Sequence, residues 1–122
     1  MNIEIDRQGD STVALVNSPE LVIGDVAAAL DLMAEVGVVH GCDKIVLRQS
    51  NLSEDFFELK TGLAGDILQK YTNYGVKLAV VGTFDGYGSK SLNDFIYECN
   101  QGNRFFFVSD TQQAIQALHG VR

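Results

Sequence analysis

Val76-Lys77-Leu78-Ala79-Val80-Val81-Gly82 decides the fold. It is apolar in both alternations except at Lys77, and a glycine closes it. A strand that is oily on both sides belongs in a sheet covered on both faces. Lys44-Ile45-Val46-Leu47-Arg48 upstream and Arg104-Phe105-Phe106-Phe107-Val108 downstream have the same character. Strands of this kind, each followed by a helical pattern, argue for parallel pairing with right-handed crossovers. The segments near Ile45, Val80 and Phe106 should therefore lie side by side and run the same way.

The rest of the chain reads outward from these three strands. Ile3 and Ile5 alternate with Glu4 and Asp6, a strand with one wet face. Gln8-Gly9-Asp10-Ser11 supplies turn chemistry, and Thr12 to Val16 reads as its hairpin partner, with the first strand antiparallel at an edge. Asp25 can cap a helix carrying Val26, Ala29, Leu30, Met33 and Val36, with Gly37 and Gly41 bracketing its end. Gln49 to Leu52 reads as a loop. A continuous helix is predicted from Ser53 to Asn73, with Ser53 as cap and Glu54 and Asp55 at the positive end of its dipole. Ser91 with Asp94 reads as the cap of a helix bearing Leu92, Phe95, Ile96 and Cys99. Ser109-Asp110-Thr111 caps the last helix, which carries Ala114, Ile115 and Leu118. The prediction is one α/β domain over residues 1–122. It has a mixed, mostly parallel five-stranded sheet and about four helices, in the order ββαβαβαβα.

Composition narrows the function. The chain has 122 residues, 46% of them hydrophobic, and a net charge of −7. Residues 1–66 carry −8 and residues 67–122 carry +1. Phosphate backbones are bound chiefly by Lys and Arg, so nucleic acid is a poor partner. No apolar run approaches the roughly 20 residues of a membrane span. The N-terminus has no basic start or apolar stretch of a signal peptide. Cys42 and Cys99 are distant from each other and read as reduced thiols. A cytoplasmic protein is expected, with no membrane partner.

Two stretches resemble known groups. Tyr74 to Gly82, with the closing Phe106-Phe107-Val108-Ser109-Asp110-Thr111-Gln112-Gln113-Ala114-Ile115, looks like the STAS-like, or anti-sigma-factor-antagonist-like, fold. The block Ser53 to Gly65, continuing through Tyr74-Gly75, and the block Ser89 to Glu98 resemble a small bacterial family known only as a domain of unknown function. The resemblance implies a fold and a regulatory or protein-interaction role without an activity. The phosphoacceptor position of STAS-like proteins would fall on Thr61. The surrounding Leu59-Lys60-Thr61-Gly62-Leu63-Ala64 lacks the preceding Asp, and the helix reading buries Thr61 more than one turn inside.

Three features could carry chemistry. The loop Gly82 to Ser91 holds three glycines between a strand and a helix, where backbone amides can cradle an anion. Thr83, Asp85, Tyr87, Ser89, Lys90 and Ser91 are its ligand-binding candidates, although Tyr87 stands where a phosphate-binding loop has its second Gly. The ordinary alternative is a capped turn. Next, Gly62 and Gly65 fall on a helical wheel with Asp55, Glu58, Asp66 and Gln69, opposite the apolar stripes. Each Gly costs a helix interior about 1 kcal/mol. Two on one face suggest close packing by another protein or a second copy, and Gly62→Leu should weaken self-association while leaving the fold intact. Finally, His40-Gly41-Cys42-Asp43 offers mixed ligands, but only Cys99 and His119 remain as further soft ones, short of a zinc set. No metal or cofactor is expected. Ser, His and Asp are all present, but no nucleophile-elbow spacing joins them. The sequence therefore favours a non-enzymatic interaction module over a domain binding a small anionic ligand.

Overall fold

The computed structural model describes residues 1–121. The strands are β1 (Asn2–Gln8), β2 (Ser11–Asn17), β3 (Lys44–Arg48), β4 (Lys77–Val81) and β5 (Phe105–Val108). The helices are α1 (Val26–His40), α2 (Glu54–Phe57), α3 (Leu63–Asn73), α4 (Lys90–Gln101) and α5 (Thr111–His119). The sheet runs β1-β2-β3-β4-β5, with β1 antiparallel to β2 and every other pair parallel. Ile45 pairs with Leu78, and Ala79 with Phe106, so the three oily segments lie together as expected. A two-residue loop, Gly9-Asp10, joins the hairpin, and Gly9 takes φ +59 there.

The alternation of each strand divides the core. Ala14, Ile45, Leu47, Leu78, Val80 and Phe107 face α1, α2, α3 and α4 on one side. Val13, Val46 and Ala79 face Ala114 and Leu118 of α5 on the other. Ile3 and Ile5 pack onto the first layer, which leaves Glu4 and Asp6 on the α5 side.

The helix expected from Ser53 to Asn73 is broken. Ser53 does cap α2, its hydroxyl accepting from the Asp55 amide at 3.2 Å. Glu58 then turns to extended backbone (φ −96°, ψ 93°), and Leu59–Thr61 form a 3₁₀ turn. Gly62, at φ +80, ends that turn and opens α3. The described residues thus form five helices rather than about four. Thr61 lies in the turn just before α3, not inside a helix, and its hydroxyl donates to the carbonyls of Asp55 and Glu58.

Three smaller differences follow the same logic of local hydrogen bonding. Ser89, not Ser91, caps α4, accepting from the Leu92 amide at 3.2 Å. Asp94 pairs with Lys90 at 2.8 Å instead of reaching back to a cap. Gln49–Asn51 form a 3₁₀ turn, and the stripe of α1 buries Ala29, Leu32 and Val36 while Leu30 and Met33 are half-buried.

Tyr71 ties α3 to α1. It is fully buried, and its hydroxyl donates to the Ala29 carbonyl at 2.7 Å. Burial pushes its pKa far above the ordinary value of 10. Burial and then Glu98 push the Cys99 thiol up to about 11. Both groups keep protons in the folded state that the unfolded chain releases. Their contribution to stability is therefore complete at neutral pH and declines once pH passes about 9 to 10. Tyr71 alone should contribute a slope of about 1.4 kcal/mol per pH unit above pH 10. Tyr71→Phe should be about 1 kcal/mol less stable at pH 7, with a shallower decline between pH 10 and 11. Urea midpoints measured from pH 8 to 11 check both statements.

Candidate functional site

The Gly82–Ser91 loop lies at the carboxyl ends of β3, β4 and β5, where ligands of open α/β sheets usually bind. Several of its donors are already engaged. The Gly82 amide donates to Val108 O at 2.9 Å, and the Thr83 amide to Gln49 Oε1 at 2.9 Å. Gln49 Nε2 donates to the Tyr87 hydroxyl, and the Tyr87 ring stacks on Phe57 with centroids 5.1 Å apart. Burial raises the Tyr87 pKa, the bond from Gln49 lowers it, and Glu54 adds to the rise. Ser89 is spent on its cap and Lys90 on Asp94. Asp85 and Ser91 are exposed. Gly82 is required by a neighbour in the same chain: an added Cβ would stand 2.6 Å from Gln49 Cβ. The loop is a closed clasp rather than an open cradle. A groove of about 600 Å³ runs beside it, lined by Thr83, Phe106, Ser109 and Gln113 among others. Gln113 there already bonds Ser109 and Asp110.

The helix break also scatters the interface candidates. Asp55 belongs to α2, Glu58 to the bend, Gly62 to the start of α3, and Gly65, Asp66 and Gln69 to α3 itself. Gly62 takes a positive φ, so Gly62→Leu would strain the turn before α3 by about 1–2 kcal/mol rather than act on self-association alone. Gly65 is exposed, with open space where a Cβ would point.

Next to α3 lies α1, whose outer side is unusually apolar. Val38 is 86% exposed and Val39 68%. Ala27 and Ala34 are exposed on the same helix, as are the acids Asp31 and Glu35. Helices α1 and α3 pack together in one layer, so this oily strip lies in the same layer as exposed Gly65, Asp66 and Gln69. Hydropathy periodicity did not single it out because α1 is apolar nearly all round.

A second polar centre occupies the opposite end of the sheet, on the α5 side. The strand register places Asp6, Ser11 and Lys44 on the face that carries Val13 and Val46. The last turn of α5 brings His119 to them. Ser11 Oγ lies 2.8 Å from His119 Nδ1 and 2.9 Å from Lys44 Nζ, and His119 Nε2 lies 2.7 Å from Asp6 Oδ2. Lys44 is buried and also donates to Val121 O at 2.7 Å, at the negative end of α5. Ser11, Lys44, His119 and Val121 border a cleft of about 850 Å³. His40, Cys42 and Asp43, considered as ligands from the sequence, gather no metal cluster among the described residues. Nor, among those residues, is any helix long and apolar enough to cross a membrane.

No curated protein matches the chain. Residues 8–118 match the family described as Domain of unknown function (DUF4180), and the chain belongs to that family.

Proposed function

We propose that the protein is a regulatory docking module of the bacterial cytoplasm, and that the α1–α3 layer is its binding face for a basic protein segment. The observation that carries this reading is the exposed apolar strip at the end of α1, Val38 and Val39, in a layer whose outer acids include Asp31, Glu35 and Asp66. An apolar centre with a polar rim is the anatomy of a protein interface. The rim favours a partner of opposite charge. A second copy would set acids against acids, so the occupant is a different, basic chain. The STAS-like resemblance, a fold used for regulatory contacts, points the same way. The alternative, an anion held by the Gly82–Ser91 loop, has less support because the amides of Gly82 and Thr83 and the side chains of Ser89 and Lys90 are bonded within the chain.

A photo-crosslinking amino acid at position 38, with position 116 on α5 as control, tests the face in cells. A discrete adduct at 38 alone, lost in the Asp31→Lys/Glu35→Lys double variant, is the expected result. An adduct of twice the chain's mass, or equal patterns at 38 and 116, would overturn it.

A further inference from the structure

In the polar centre beneath α5, a lysine, a serine, a histidine and a carboxylate form one continuous run of hydrogen-bonding contacts. Lys44 Nζ is only a donor, so it gives a hydrogen to Ser11 Oγ. Asp6 can only accept, so in the neutral tautomer with its hydrogen toward Asp6 the imidazole leaves Nδ1 to accept from the Ser11 hydroxyl. With Nδ1 as acceptor, the neutral imidazole carries its hydrogen on Nε2, and that hydrogen meets Asp6 Oδ2 at 2.7 Å. A hydroxyl aimed at an imidazole whose far side is held by a carboxylate is the working arrangement of serine acyl transfer, here with the two ring nitrogens exchanged. The His119 side chain is 5% exposed and that of Asp6 38%. The base is thus shielded while Ser11, half-buried, borders the cleft.

We propose that Ser11 is the nucleophile of an acyl-ester hydrolase site, with His119 as general base and Asp6 and Lys44 as positioning residues. In the first half-reaction Ser11 Oγ bonds the ester carbonyl carbon while its proton passes to His119 Nδ1. The bond from that carbon to the alcohol oxygen breaks, and the alcohol leaves with the proton. Water then attacks the acyl-Ser11 carbon. His119 takes its proton and returns it to Ser11 Oγ as the acid departs. The sum is ester plus water giving acid plus alcohol. Lys44, 2.9 Å from Oγ, holds the hydroxyl in place through its hydrogen bond. Asp10 and Asp43 line the same cleft, which selects small neutral or cationic esters over anionic ones. The cleft volume suits a small molecule.

A fluorophosphonate probe, which bonds an activated serine through phosphorus as fluoride leaves, tests the site on the full chain. One adduct per chain, mapped to Ser11 and absent in Ser11→Ala but present in Ser109→Ala, is expected. Asp6→Asn should slow labelling and p-nitrophenyl acetate hydrolysis at least about tenfold with an unchanged thermal midpoint, because a neutral amide no longer steadies the protonated imidazole. Asp6→Glu should restore part of the rate. No adduct, an adduct that survives Ser11→Ala, or an Asp6→Asn variant with a lowered midpoint and an unchanged labelling rate would overturn the proposal. The last outcome would make the chain of hydrogen bonds a staple between α5 and the hairpin.

Discussion

Asn51→Leu is expected to lower the free energy of unfolding by about 2–4 kcal/mol, because it removes the partner of three backbone groups at once, one buried and two part-buried. Asn51 is fully buried. Its Oδ1 accepts from the Arg48 amide at 2.8 Å, and its Nδ2 donates to the carbonyls of Ser18 and Glu20 at 2.9 and 2.8 Å. Its backbone carbonyl accepts from Val22 and Ile23. One side chain therefore fastens the link between β2 and α1 to the turn after β3. Leucine matches the volume but can replace none of those partners. Urea unfolding should show a lower midpoint with an unchanged slope. A loss below about 1 kcal/mol would mean that water re-satisfies the site.

Phe107→Ala is the second large expected effect, at about 3–5 kcal/mol. Phe107 is 5% exposed, and its ring meets Phe84 and Phe95 edge-on at 5.4 and 6.1 Å and lies 6.3 Å from Phe56. The site has little freedom to collapse. Asn100 bonds both the amide and the carbonyl of Phe107, which fixes the short edge strand in place. A thermal midpoint lower by about 10 °C or more is expected for a domain of this size. Phe107→Leu, which fills more of the space, should recover much of the loss.

The strands and their pairing were legible because apolar residues in both alternations can be accommodated only inside a two-sided sheet. Asp110, Ser53 and Asp25 were legible as caps for an equally local reason. The break at Glu58–Gly62 was hidden because the stripe Phe56, Leu59, Leu63, Ile67 continues across it. Periodicity records which side chains face the core, and a bent backbone can present the same ones. Gly62 itself was the signal, read as a packing surface when it marks a left-handed turn. Gly82 has an internal reason too: the chain's own Gln49 presses against it. The polar centre under α5 had no local signature at all. Its members come from both ends of the chain and from β3, and only the strand register and the length of α5 bring them together.

That joining of the ends has a consequence for synthesis. Residue 6 meets residue 119 across 113 positions of sequence. While the protein is being made, the first hairpin must wait for α5 to leave the ribosome before this contact can close. Assembly of that corner therefore waits on the codons of α5, and a message cut short before them would yield a sheet whose opening strands never gain this fastening.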